Sequence, residues 1–424
     1  MRALEVGAWT EDFLSIVTAR SHGDPRAIGD PGAKSENEDQ RPMTNRIEEV
    51  DALRGLMLVW MTCTHLPTVL STYVNQPLGF FAATEGFIFL SALFTGRICA
   101  RLVEREGNTA MSRNVWMRAA RLYGYQLLLL AFAFVIEAPI AARGNRPAVH
   151  NLLNYYFTVG RPRAFVDAAF MIYRPPLLDI LPVYIIFLAL TPFAVLLAMR
   201  FGWKLAFVVS FALWLFAQFG LKTMVYNWLT HAFGLQIPLN EMGAFDLWAW
   251  QLWWLVGLWL GVRWAGHGLP LEEWAHKKRI VLPAAVIALL FLTLRYVQME
   301  ESMELGRLAP LLDKWNFGFG RIIDFTAIAI LAIRFRSVLK ILAIRPLVMI
   351  GQASLQVFCV HLLCVFFALT IMGNNAMLTG WPAVTLVAIS LFSLVLTGTV
   401  VNRRGTKVGV QKLAPLKVQP SRPV

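Results

Sequence analysis

The sequence predicts an all-α integral membrane protein, a polytopic bundle of about ten transmembrane helices with both termini inside. Three observations lead there. The chain of 424 residues is 57% hydrophobic, with a mean hydropathy of +0.56. Only 15% of its residues are charged, against about 25% in soluble domains. Its apolar residues fall in long runs, each near the ~20 residues that a helix needs to cross a bilayer. In lipid only a helix satisfies its own backbone over such lengths.

Residues 1–46 are polar, as in "RSHGDPRAIGDPGAKSENEDQRP", and lack the apolar region of a signal peptide. They read as a disordered cytoplasmic tail, with Met43 a second possible start. A transmembrane domain is expected over 47–402 and a basic cytoplasmic tail over 403–424. Within the domain the runs cover 50–69, 79–99, 120–142, 178–199, 204–221, 246–265, 279–297, 319–336, 346–372 and 380–401. With the N-terminus inside, cytoplasmic segments hold about 28 of the 39 Lys and Arg, the asymmetry expected of a membrane protein. That asymmetry also accounts for the net charge of +13 without a nucleic-acid partner. The four cysteines, Cys63, Cys99, Cys359 and Cys364, lie inside apolar runs and read as packing residues. No metal site is expected.

The first run, "DALRGLMLVWMTCTH", places Arg54 and His65 eleven positions apart. Eleven helical steps end ~20° past three full turns, so both lie on one face, about 16 Å apart. A charge inside a bilayer costs at least ~2.5 kcal/mol and is usually functional or paired. By depth, Glu85 in the second run and His361 in the ninth fall near the level of His65. A carboxylate accepting from one imidazole nitrogen orients the ring and raises its basicity, so Glu85 is expected to orient His65. The plain alternative is a structural cluster that only fixes helix packing. Nearer the inner edge lie Arg54, Arg97, Arg118 and Arg121. Several guanidiniums at one mouth suit a phosphate-bearing ligand arriving from the cytosol, although the positive-inside rule explains Arg118 and Arg121 equally well.

At these residues the sequence resembles the OpgC family of membrane proteins, within the wider acyltransferase-3 type superfamily. The resemblance rests on "EEVDALRGLMLVWMTCTHLP" and "GFFAATEGFIFLSALFTG", then "RAARLYGYQ", "DILPVYIIFLALTPFAV", "WAWQLWWLVGLWLG" and "IGQASLQVFCVH". It implies that His65 matches the family's essential histidine, Arg54 its arginine and Glu85 its acidic residue of the second helix. Ser91-Ala92 departs from the Ser-Gly common among relatives. The resemblance further implies a bacterial inner-membrane enzyme that moves an acyl group, succinyl in that family, to hydroxyls of periplasmic osmoregulated glucans.

The expected enzyme therefore has no bound cofactor, and acyl-CoA (succinyl-CoA) is its co-substrate. Arg54, Arg97, Arg118 and Arg121 would hold the donor, and His65, Glu85 and His361 would form the catalytic layer. Tyr155, Tyr156, Arg161 and Arg163, in the outer loop 143–177, would meet a carbohydrate acceptor. An acyl-histidine is the alternative chemical route. A proton-coupled transporter or flippase using the same His/Glu layer is the second reading. A non-catalytic membrane partner is the third.

Overall fold

The computed structural model describes residues 48–144, 146–267, 270–301, 306–372 and 377–412. The segment 1–46 thus lies outside the described residues. The described residues are predominantly helical, and among them the only β-pairing is a single bridge between Thr68 and Leu378. In chain order the helices are α1 (Glu48–His65), α2 (Leu70–Val74) and α3 (Ala83–Phe132). A π-turn (Ala133–Glu137) leads to α4 (Ala138–Arg143). Three short helices follow: α5 (Pro147–Leu152), α6 (Asn154–Val159) and α7 (Arg161–Ala169). Then come α8 (Ile180–Phe201), α9 (Trp203–Gln218), α10 (Leu221–Phe233), α11 (Leu247–His267), α12 (Pro270–His276) and α13 (Lys278–Glu301). The last are α14 (Ala309–Leu312), α15 (Phe319–Arg334), α16 (Arg336–Leu342), α17 (Arg345–Gln352), α18 (Ser354–Met372) and α19 (Gly380–Lys412). Helix α19 therefore continues past residue 402, where the sequence placed the edge of the membrane domain.

Among the described residues five helices are long and apolar enough to cross a membrane, or six if α9 and α10, bent by 81° at their junction, form one span. The ten spans expected from hydropathy are not met on length and apolarity alone. One reason is that Ala83–Arg143 is a single 61-residue unit although it contains two of the expected runs. Gly107, with φ 85° and ψ 178°, breaks the helical backbone between them. Among the others, α1 carries Glu48, Glu49, Asp51 and Arg54 in its first two turns, and α15 has only 16 residues.

Helix α3 is the centre of the bundle. It packs most closely on α11, then on α8 and α1, while α17 lies along α1. Small residues allow these approaches. A Cβ added at Gly96 would fall on the Leu258 carbonyl, and one at Gly261 on that of Leu93. Across α1 and α17, a Cβ at Gly55 would strike the Leu347 carbonyl and one at Gly351 that of Asp51. Without water to drive association, such close packing is what joins helices in lipid. Gly351→Ala is therefore expected to destabilise the protein by about 1–3 kcal/mol. The measurement is the thermal midpoint in detergent, compared with Gly124→Ala, where an added Cβ meets nothing within 4 Å.

Candidate active site

Helix α1 ends at His65 because Pro67 follows two residues later and disfavours helical backbone at Leu66. The chain then turns through α2 and reaches α3 by an irregular segment in which Gln76 and Gly79 have φ of 88° and 96°. Asp324 of α15 secures that segment. Its Oδ2 accepts from the amides of Phe80 and Phe81 at 2.7 and 3.0 Å. A side chain at Gly79 would collide with the same carboxylate. The outcome is that the C-terminal end of α1 and the N-terminal ends of α3, α8 and α15 gather at one end of the bundle.

His65 and His361 meet there. Nδ1 of His65 lies 3.2 Å from Nε2 of His361, and the rings are stacked with centroids 5.5 Å apart. Nδ1 of His361 lies 2.8 Å from the Phe358 carbonyl. A carbonyl only accepts, so His361 Nδ1 carries the proton and its Nε2 presents a lone pair. His65 Nδ1–H then donates to that lone pair. The second nitrogen of His65, Nε2, is left as a base, with no hydrogen-bond partner among the described residues. His361 is fully buried, whereas His65 lines a small recess with Trp60, Thr64, Gln76, Thr84 and Lys314.

Glu85 does not orient His65, contrary to the sequence-based expectation. Its Oε1 accepts from Arg321 Nε at 2.5 Å and pairs with Nη2 of the same guanidinium. Its Oε2 accepts the Ala82 amide at 3.1 Å, capping the first turn of α3. Glu85 and Arg321 are 0% and 1% exposed. A carboxylate so deep needs a full countercharge, and the nearest arginine outcompetes a neutral ring for it. Arg321 is not among the residues that the sequence singled out. The available signal was its place at the start of the eighth apolar run, three residues before Asp324.

Three of the four expected donor-binding arginines surround one turn of α3. Arg54 donates to Ser354 Oγ at 2.5 Å and lies 5.4 Å from the Phe94 ring. Phe94 packs on Trp264, whose ring receives Arg97 at 3.9 Å. Arg118 donates to Thr95 Oγ1 at 3.2 Å and to the Tyr184 hydroxyl at 2.7 Å. Arg121 is exposed and bonds only the carbonyl of Met117, on its own helix. Between Arg118 and the histidines lies a second small recess, lined by Phe87, Ile88, Ser91, Ile180, Tyr184 and Phe358.

The expected acceptor residues divide. Tyr155 and Tyr156 are 1% and 4% exposed, their hydroxyls donating to Asp167 and to the Phe134 carbonyl. Burial and the bond to Asp167 push the Tyr155 hydroxyl up to about 12. These rings hold the loop against the bundle. Arg161 and Arg163 are exposed, Arg163 lying 3.7 Å from Asp167.

If the Glu85–Arg321 pair is the structural anchor, Arg321→Met alone should cost about 3–5 kcal/mol by stranding a buried carboxylate. The double replacement Glu85→Met with Arg321→Met should cost distinctly less. Unfolding of the single and double variants in the same detergent checks this.

The family model described as OpgC protein matches residues 46–404. Neither the curated proteins nor the solved structures provide a match to the chain.

Proposed function

Because the chain belongs to the OpgC family, we propose that it is a membrane-bound O-acyltransferase. It would move an acyl group, succinyl in this reading, from a cytosolic acyl-CoA to hydroxyls of a periplasmic glucan. The observation that carries the reading is the histidine pair, whose hydrogen-bond order leaves His65 Nε2 free at a recess. That nitrogen takes the proton of the sugar hydroxyl as its oxygen attacks the thioester carbonyl. The carbonyl re-forms, the C–S bond breaks, and the thiolate leaves, recovering the proton from His65. His361 supports the transient imidazolium by accepting its Nδ1–H, and the Phe358 carbonyl holds His361 in the tautomer that can do so. Glu85 acts as a positioning residue through α3.

The donor's phosphates would lie at the Arg54, Arg97 and Arg118 cluster. Arg54 is about 16 Å along α1 from His65, near the span of an extended pantetheine arm. The small apolar recess beside Tyr184 and Phe358 marks where that arm would pass. This arrangement asks for both termini inside and the arginine cluster on the cytosolic side of the bacterial inner membrane. Ten crossings result when α1, α11 and α15 also span, Ala83–Arg143 crosses twice, and α9 with α10 counts as one.

Purified protein in lipid, given succinyl-CoA and a gluco-oligosaccharide, tests the reading. His65→Ala should lower the transfer rate by about 10²–10⁴-fold while the thermal midpoint stays near wild type. Full activity in that variant would remove the base from the mechanism. The donor end is tested separately, since Arg54→Lys keeps the charge and loses the planar fork. The apparent KM for donor should rise roughly tenfold, with turnover at saturating donor much less affected. An unchanged KM would assign Arg54 to helix packing through Ser354.

A further inference from the structure

We infer that Lys314 is the specificity residue of the site, pairing with a free carboxylate at the far end of the transferred acyl group. The inference rests on the acyl-transfer reading of the His65 recess and names what that recess selects. Lys314 lines the recess together with His65, yet among the described residues its ammonium has no hydrogen-bond acceptor. The Trp315 ring lies 5.1 Å from it.

The anions around Lys314 are engaged elsewhere. Glu85 is taken by Arg321 and the Ala82 amide. Asp313 accepts from the Trp315 amide at 2.9 Å and from Asn316 Nδ2 at 2.7 Å. Asp179 accepts from the Ala244 amide at 3.2 Å. Burial, with Arg321 adding to it, lowers the Lys314 pKa from its ordinary value, while Glu85 and Asp179 oppose the shift. A cation kept this way is stabilised by an anion that arrives with the ligand.

The loop that presents Lys314 is held to an unusual degree. Trp250 Nε1 and the Asp246 amide both donate to the Trp315 carbonyl at 3.1 Å. Gln218 Nε2 donates to the Asn316 carbonyl at 2.8 Å and Trp214 Nε1 to the Phe317 carbonyl at 3.0 Å. Phe317, with no exposed surface, adopts a φ of 47°, a left-handed backbone unfavourable for an aromatic residue. Backbone strain of that kind persists only where surrounding contacts over-determine it, and it concentrates at ligand clamps. The recipient of this rigidity is the ammonium beside His65. A transient oxyanion is a weaker candidate for its partner, because Lys314 needs a counterion before the reaction starts. The contact suits the half-thioester of a dicarboxylic acid, the donor class already proposed for the site.

Succinyl-CoA and butyryl-CoA carry four-carbon acyl groups that differ in the terminal carboxylate, and so isolate this contact. In wild-type protein in lipid, kcat/KM should favour succinyl-CoA. Lys314→Met should lower kcat/KM for succinyl-CoA by on the order of 10- to 100-fold, mainly through KM, and leave butyryl-CoA nearly unchanged. Lys314→Arg should retain the preference. The ratio of the two donors on one preparation is independent of how much protein is folded, and Lys314→Gln gives the same comparison if the Met variant fails to accumulate. Equal loss on both donors, or a preference unchanged without the lysine, overturns the inference alone. Wild-type protein that transfers butyryl and succinyl equally does the same. Wild-type protein that transfers neither overturns the acyl-transfer reading and this inference with it.

Discussion

The buried ion pair between Glu85 and Arg321 joins parts of the chain that are 236 positions apart, and the geometry of the site follows from it. Glu85 caps the first turn of α3, so the pair determines where that central helix begins. Arg321 also donates to the Leu312 carbonyl at 3.3 Å, which ties the pair to the loop carrying Lys314. Trp253 of α11 donates to the Glu85 carbonyl at 3.2 Å and brings in the helix most closely packed on α3. Two charges this deep persist only when each satisfies the other, so neither helix end can shift without exposing an unpaired ion to lipid.

That constraint leaves the histidines to a different kind of partner. With the nearest carboxylate occupied, His65 is oriented by a neutral ring, and that ring by a backbone carbonyl. A neutral relay confers less basicity than a carboxylate would, but it defines the tautomer equally well.

The arginine end is built on the opposite principle. Arg54, Arg97 and Arg118 rest on aromatic faces and hydroxyls, contacts that hold each guanidinium in a defined place and direction. The aromatic residues beside the two recesses, Trp60 and Phe87 among them, belong to the same packed interior as the helix contacts.

The helical class, the apolar runs, the shared face of Arg54 and His65, and the family were all readable from the chain itself. Each depends on local quantities, either hydropathy over about 20 residues or the 3.6-residue turn. Depth counting also brought His361 to the level of His65, because rise per residue is uniform along a helix. Which ionisable groups touch was decided only in three dimensions. His361 lies 296 positions from His65, and no periodicity spans that distance. Glu85 was within reach of either a histidine or an arginine by depth, and the stronger countercharge took it. Tyr155 and Tyr156 have side chains that serve equally well at a ligand surface or in a loop core, so only packing could distinguish the two. Lys314 sits in a short polar segment that looks like any connection between helices. Its importance arises because four donors from other parts of the chain converge on the carbonyls beside it, a convergence that tertiary folding alone creates.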